Sequence, residues 1–318
     1  MISAPGKVLW IGSYSVVFGG IGHVIAIDRR VRCSAEENDE WVFETSYGTF
    51  KGKGNELIES VLGVMREEFG DFGKFRVKLT NDPDFSVARK KTGLGSSSAA
   101  TVALTACLYH KIKGGIDLNE VHRLAQKANY VRQRGIGSGF DIASAVFGSI
   151  VYRRFSSLEK MDCYCEPLRI GNYGMVLAFL GESAETVGLV RKFVEVSQSQ
   201  KFKEMMARIN EENEWAVKYL RSGRLYAAAQ HVRIARDLLN ALAKTLVGVE
   251  IENERTKRLE ALAYAKGAII ALSPGAGLES VFAIAKDVEP IIEAWEREGV
   301  KAIRLKEDGG LRVEEGQG

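Results

Sequence analysis

With 318 residues the chain exceeds the usual domain span of about 100 to 200 residues, leaving room for two cores with a cleft between them. Hydrophobic residues make up 46% and charged residues 27%, a globular balance that excludes a disordered tail protein, a collagen-like fibre and a multispan membrane protein. Basic residues (44) barely outnumber acidic ones (41), for a net charge of +3, so nucleic acid is not an expected partner.

The first fifty residues alternate short apolar runs with turn residues, at Val8–Ile11, Val16–Phe18, Val24–Ile27, Val31–Ala35 and Trp41–Glu44, and predict a β-rich opening sheet. Val8–Ile27 is long enough to span a bilayer, but its glycines, serines and β-branched bursts suit paired strands, so no membrane span is expected. Leu57, Ile58, Val61, Leu62, Met65 and Phe69 recur at helical spacing, and Phe75–Leu79 alternates as a strand. A Gly-Ser loop, Gly93–Ser98, opens a small-residue helix running toward His110, and a further helix is marked by Leu118, Val121, Leu124, Ala128 and Val131. Periodicity is lost around Met161–Gly174, which puts a lobe boundary near residue 167: an amino-terminal lobe over 1–167 and a carboxy-terminal one over 168–318. The second half reads as a strand at Met175–Leu180, three or four amphipathic helices from Glu185 to Ala265, strands at Ala268–Leu272 and Val281–Ala285, then a helix before a strand at Ala302–Leu305. No secretory signal is expected, since no charged segment followed by an apolar one opens the sequence. Cys33, Cys107, Cys163 and Cys165 show no zinc-type C-x-x-C spacing and read as reduced thiols of a cytoplasmic protein.

Four short elements carry chemistry. Lys91-Thr92-Gly93-Leu94-Gly95-Ser96-Ser97-Ser98 joins glycines that admit a ligand to serines that cap a helix, whose free N–H groups and dipole make an anion site. An ordinary turn with an N-cap would look the same, and it is not a Walker loop, because its lysine precedes the glycines. Ala4-Pro5-Gly6-Lys7 puts a lysine at the start of an apolar strand, costly to bury unless it meets an anion; a snorkelling surface lysine is the plain alternative. In Arg132-Gln133-Arg134-Gly135-Ile136-Gly137-Ser138-Gly139-Phe140-Asp141, Asp141 is either a functional carboxylate or a helix cap. Ser273-Pro274-Gly275-Ala276-Gly277 alone is a turn between strands.

Together, in this order, the elements resemble the GHMP small-molecule kinase superfamily, with its A-P-G-K opening, G-L-G-S-S phosphate loop, G-S-G-x-D segment and late G-A-G loop, over nearly the whole chain. Within it the chain is most similar to the phosphomevalonate kinases. Lys91–Ser97, Gly137–Ser149, Tyr152-Arg153-Arg154-Phe155 and Pro274–Gly277 reproduce that family's signatures, as does the stretch Gly181–Thr186. One departure is Leu278, Glu279 and Ser280, where the family usually carries further glycine and an aspartate.

The resemblance implies an α+β, two-lobed GHMP kinase fold with its active site in the cleft. It implies ATP along Lys91, Gly93, Leu94, Gly95, Ser96, Ser97 and Ser98, Mg²⁺ held partly by Ser97, Lys7 as the cation beside the transferring phosphoryl group, and Asp141 as an orienting carboxylate. The expected acceptor is 5-phosphomevalonate, touched by Tyr14, Gly137, Ser138, Ser183, Thr186 and Ala276. A phosphate acceptor is already dianionic near neutral pH, so its difficulty is anion repulsion rather than deprotonation. Of the cations near the motifs (Arg29, Arg30, Lys90, Lys91, Arg132, Arg134, Arg191 and Lys192), the resemblance favours Arg134, Arg191 and Lys192 for its phosphate. The alternatives are mevalonate kinase or another alcohol kinase, for which Asp141 would be the base, and a non-catalytic regulator of the same fold, which would have lost Lys7, Ser97 or Asp141.

Overall fold

The computed structural model describes residues 1–181 and 185–315. It opens with β1 (Ile2–Ile11), a 3-10 turn at Ser15–Phe18, and β2 (Gly22–Glu37), antiparallel to β1. The bilayer-length apolar stretch is therefore two paired strands about a tight turn, and among the described residues no helix is long and apolar enough to cross a membrane. Val16–Phe18, expected as a strand, lies in the 3-10 turn: Val17 N–H donates to Tyr14 O at 3.0 Å, and positive φ at Gly12 and Tyr14 folds the chain back. The runs at Val24–Ile27 and Val31–Ala35 merge into one strand, because Arg30 between them still pairs with Pro5 of β1.

There follow β3 (Val42–Thr45), β4 (Gly48–Lys51), α1 (Glu56–Phe69), β5 (Phe75–Asn81), the hairpin of β6 (Ser86–Val87) and β7 (Lys90–Lys91), α2 (Ser96–Lys113), α3 (Leu118–Arg132), α4 (Phe140–Phe147), β8 (Ile150–Arg153) and β9 (Tyr164–Pro167). Local chemistry sets the starts: Asn55 Oδ1 caps α1 through Ile58 N, and Asp117 caps α3 through Asn119 N and Glu120 N. Helix α2 is buried almost all round, so it carries small residues (Ala99, Ala100, Ala103, Ala106) rather than an amphipathic stripe.

The second half supplies β10 (Gly174–Phe179), α5 (Thr186–Val196), α6 (Gln200–Arg221), α7 (Leu225–Leu242), α8 (Glu254–Ala265), β11 (Ile270–Leu272), β12 (Ser280–Ala285), α9 (Glu289–Arg297), β13 (Lys301–Leu305) and β14 (Arg312–Val313). Its antiparallel sheet runs β11-β12-β10-β13. Alternation divides that sheet's faces: Val176, Ala178, Val281 and Ala283 pack with Leu259, Ile291 and Trp295 of α8 and α9, while Met175, Leu177, Phe282 and Ile284 join the main core.

The first sheet runs β4-β3-β5-β2-β1-β14, with β8 and β9 branching from β2. The chain thus ends by returning to its first strand: β14 pairs with β1, Ile2 facing Val313. Buried Arg30 donates to Gly309 O, Gly310 O and Asp308 of this tail, and Glu307 accepts from Ser149 Oγ (2.7 Å) and Ile170 N (3.0 Å). We propose the lobe division near residue 167, with the tail from Glu307 counted with the first sheet. His23 is a satisfied core histidine, accepting from Trp10 Nε1 and donating to Leu168 O, both at 2.7 Å.

Candidate active site

The site grows from an irregularity in β1. Its register with β2 slips between Pro5 and Lys7, and Gly6 fills the bulge so closely that a Cβ there would stand 2.4 Å from Leu94 O. Lys7 N–H donates to Leu94 O at 2.8 Å, so the strand carries the glycine loop directly. Lys7 Nζ donates to Gly93 O at 3.0 Å, its stem lying along Gly95, where a Cβ would meet Lys7 Cγ at 3.0 Å. Burial lowers the pKa of this ammonium from its ordinary value, while the Asp141 and Glu279 carboxylates pull it back up.

Helix α2 starts at Gly95, in the left-handed region at φ 85°, and no serine side chain caps it, contrary to the expectation from the sequence. The helical ladder begins with Ala99 N–H to Gly95 O (3.0 Å), so the N–H groups of Ser96, Ser97 and Ser98 precede it and remain for an anion. The serine hydroxyls divide the work. Ser97 Oγ accepts from Lys91 Nζ at 3.2 Å, and Ser98 Oγ donates to Asp141 Oδ2. Asp141 stands in the first turn of α4 behind its cap, Gly139, so it is not the capping aspartate; its Oδ1 accepts from Ile142 N at 3.0 Å.

Tyr14 joins this wall to the other lobe. Held at φ 61°, it stacks on Phe193 with ring centroids 4.1 Å apart and donates its hydroxyl to Ala276 O at 2.6 Å; burial pushes its pKa up. The Ser273–Gly277 loop is braced from behind by Arg236, which donates to Ser273 O (2.8 Å) and Glu252 Oε1 (2.7 Å).

These elements enclose a cavity of about 310 Å³. Of the residues expected from the sequence, Lys7, Asp141, Lys91 and Gly93 to Ser98 line it, as do Tyr14, Gly137, Ser138, Thr186 and Ala276. Arg134, Arg191 and Lys192 are exposed and absent from its lining, and Ser183 lies outside the described residues. Arg132 lines the cavity where Arg134 does not: it ends α3, its buried Nε without a hydrogen-bond partner among the described residues, whereas Arg134 occupies an exposed turn at φ 53°. Ser138 Oγ is likewise buried and without a partner among the described residues.

Residues 56–149 match the GHMP kinases N-terminal domain family. A phosphomevalonate kinase of Saccharolobus solfataricus is 55% identical over 318 residues, 98% of each chain. The chain belongs to the phosphomevalonate kinase family. Its fold is that of the GHMP kinases. A Listeria innocua structure superposes with a TM-score of 0.86 at 23% identity, covering 99% of both chains. The Streptococcus pneumoniae phosphomevalonate kinase in complex with phosphomevalonate and AMPPNP superposes with a TM-score of 0.82 at 17% identity, covering 97% of this chain and all of that one.

In this member the signature Tyr152-Arg153-Arg154-Phe155 does not line the cavity but braces the loop that does. Tyr152 OH donates to Ser138 O at 2.6 Å, and Arg154 donates to Val17 O and Gly135 O, both at 3.1 Å. Glu279, one of the residues departing from the family's third loop, lines the cavity, and its Oε2 would be 2.8 Å from a Cβ on Gly93. The sequence marks Glu279 as a departure from the family's third loop but not as a site residue; its signal is a carboxylate two positions past a glycine turn.

Proposed function

We infer that the chain transfers the γ-phosphoryl group of ATP to the phosphate of 5-phosphomevalonate, giving ADP and 5-diphosphomevalonate. The observation carrying this reading is the convergence of Lys7, Lys91, Arg132 and the α2 amino terminus on one cavity. Two anions must meet there, and cations with preorganised N–H groups offset their repulsion. Asp141 supports the same reading. Both its oxygens already accept hydrogen bonds, an arrangement suited to orienting Ser98 and holding a field on Lys7 rather than to taking a proton from an alcohol.

A second cavity of about 310 Å³ shares Lys91, Ser96, Ser97 and Arg132 with the first and continues past Tyr47, Asn55 and Asn81. We place the base and ribose of ATP there, its phosphates crossing the Ser96–Ser98 N–H groups toward Lys7. Ser138 Oγ, Thr186 and Tyr14 are then the contacts for the acceptor, with Arg132 or Lys91 on its phosphate.

The oxygen donors of Ser97, Asp141 and Glu279 fit a hard cation such as Mg²⁺. They would hold it, and it would supply positive charge to offset that of the ATP phosphates. Lys7 Nζ, steadied by Gly93 O, is placed to stabilise charge on the transferring group.

The test is phosphorus NMR of products after ATP-Mg²⁺ is offered with 5-phosphomevalonate and with mevalonate in separate reactions. A diphosphate from the first and negligible product from the second are expected. Equal or better use of mevalonate rejects the reading.

A further inference from the structure

Behind the Gly137–Asp141 loop, outside the cavity, lies a cluster that the reaction does not use. Buried His122 of α3 and half-buried Cys163 and Cys165 bring one imidazole nitrogen and two thiol sulfurs within 4.8 Å of one another. Cys163 and Cys165 flank Tyr164 at the edge of β9, and residues two apart on a strand point to one face, so a C-x-C spacing here does what C-x-x-C does in a turn. Tetrahedral zinc, with Zn–S of about 2.3 Å and Zn–N of about 2.0 Å, asks its ligand atoms to sit roughly 3.5–4 Å apart, a small rotamer adjustment from this arrangement. Two thiolates and an imidazole are the donor set of a soft, thiophilic ion, and three protein ligands leave a fourth position for water.

The cluster is wired to the active-site loop through Gln126. Its amide nitrogen lies 2.8 Å from Gly139 O and 3.0 Å from His122 Nε2. A carbonyl oxygen only accepts, so the atom facing it is the amide nitrogen, whose other hydrogen goes to His122 Nε2. The imidazole proton is thereby on Nδ1. A cation bound at Nε2 takes the lone pair that Gln126 uses. Bound at Nδ1, it moves the ring proton to Nε2, where it meets the amide hydrogens of Gln126. Either way Gln126 must release His122, and the same nitrogen holds Gly139, the cap of the helix that carries Asp141.

We propose that His122, Cys163 and Cys165 form a site for a thiophilic cation of the Zn²⁺ class, whose occupancy unseats Gln126 from Gly139 and slows phosphoryl transfer. Binding replaces two thiol protons by the metal and is reversed by chelation.

The experiment titrates metal-free, phosphine-reduced full-length protein with Co²⁺ and reads sulfur-to-cobalt charge-transfer absorption, then follows kinase turnover at fixed ATP-Mg²⁺ as Zn²⁺ is added. One thiolate-bound Co²⁺ per chain is expected, together with a loss of at least severalfold in turnover that tracks Zn²⁺ occupancy and is restored by a chelator. Cys163→Ser/Cys165→Ser should keep metal-free turnover and lose both the absorption and the inhibition. Because the spectrum needs no substrate, it stands whether or not 5-phosphomevalonate is the acceptor. Absence of the charge-transfer band in the wild type, an unchanged band in the double variant, or full occupancy with unchanged turnover overturns the proposal.

Discussion

Lys7 is buried enough to lose affinity for its proton, yet its proposed task requires the charge. Gly93 O accepts from the amine, and Asp141 and Glu279 hold the ammonium form against desolvation. Replacing it with methionine keeps the stem against Gly95 and removes only the charge. Lys7→Met should therefore fold normally and lose kcat by about 10²-fold or more, with ATP binding affected less, as steady-state kinetics would show. The ammonium is the working form and its pKa is lowered, so the wild-type rate should fall with rising pH before an ordinary lysine titrates. A pH profile of kcat flat to the alkaline end would argue against the role. Asp141→Asn tests the carboxylate separately. With Oδ2 bound to Ser98 and Oδ1 to Ile142 N, the residue orients rather than deprotonates, so kcat should drop yet stay measurable in a single-turnover assay. Complete loss of turnover in a folded variant whose dependence on Mg²⁺ is unchanged would instead point to an obligatory base.

At the scale of elements, the site depends on strands that never reach the cavity. Strand β8 supplies Tyr152, whose hydroxyl holds Ser138 O from behind. Tyr152→Phe keeps the packing, removes that bond and should cost about 1 kcal/mol of stability. The larger expected effect is on catalysis, because Ser138 belongs to the loop leading into Asp141: KM for the acceptor should rise while KM for ATP holds. Equal changes in both, or in neither, would show that the brace does not position the acceptor side. This division of labour explains what was legible in the sequence. The glycine loops, Lys7 and Asp141 could be read because backbone close approach and buried charge restrict residue type within a few positions. The long apolar and amphipathic runs gave α1, α3, β5 and β10 for the same local reason. Arg132 could not be told from Arg134, since only the end of α3 and the turn after it decide which one faces inward. Glu279 was hidden because its partner wall, Lys7 and Gly93, lies far away in the chain. Val16–Phe18 misled because β-branched residues outweighed the left-handed conformations on either side of it.

The whole molecule is closed by contacts of long sequence separation, and two of them make its stability testable. His23, bonded to Trp10 and to Leu168 at the lobe boundary, has its pKa lowered by burial to about 4, and His122 likewise to about 4. Unfolded histidine takes its proton near 6.5, so stability present above that pH is lost as pH falls toward 4, on the order of 3 kcal/mol for each residue. Urea midpoints measured between pH 7 and 4.5 should fall steadily; a flat profile would show that both rings take up their protons in the folded state at the same pH as in the unfolded one. The second contact is the tail. Arg30 is buried in β2, and its charge is met by Asp308 and by the carbonyls of Gly309 and Gly310, while on the strand side its guanidinium donates to Ser3. Deleting the chain from Glu307 onward would strand that guanidinium, unpair the edge of β1 that β14 covers, and remove the acceptor for Ile170 N. An uncompensated buried charge alone costs about 3–5 kcal/mol, so the truncated chain should unfold at a clearly lower urea concentration. Arg30→Met in the truncated chain removes the orphaned charge and should recover part of the loss, which separates the charge from the lost strand pairing. If truncation leaves the midpoint unchanged, the tail merely lies on the sheet, and β1 must hold Lys7 in place without it.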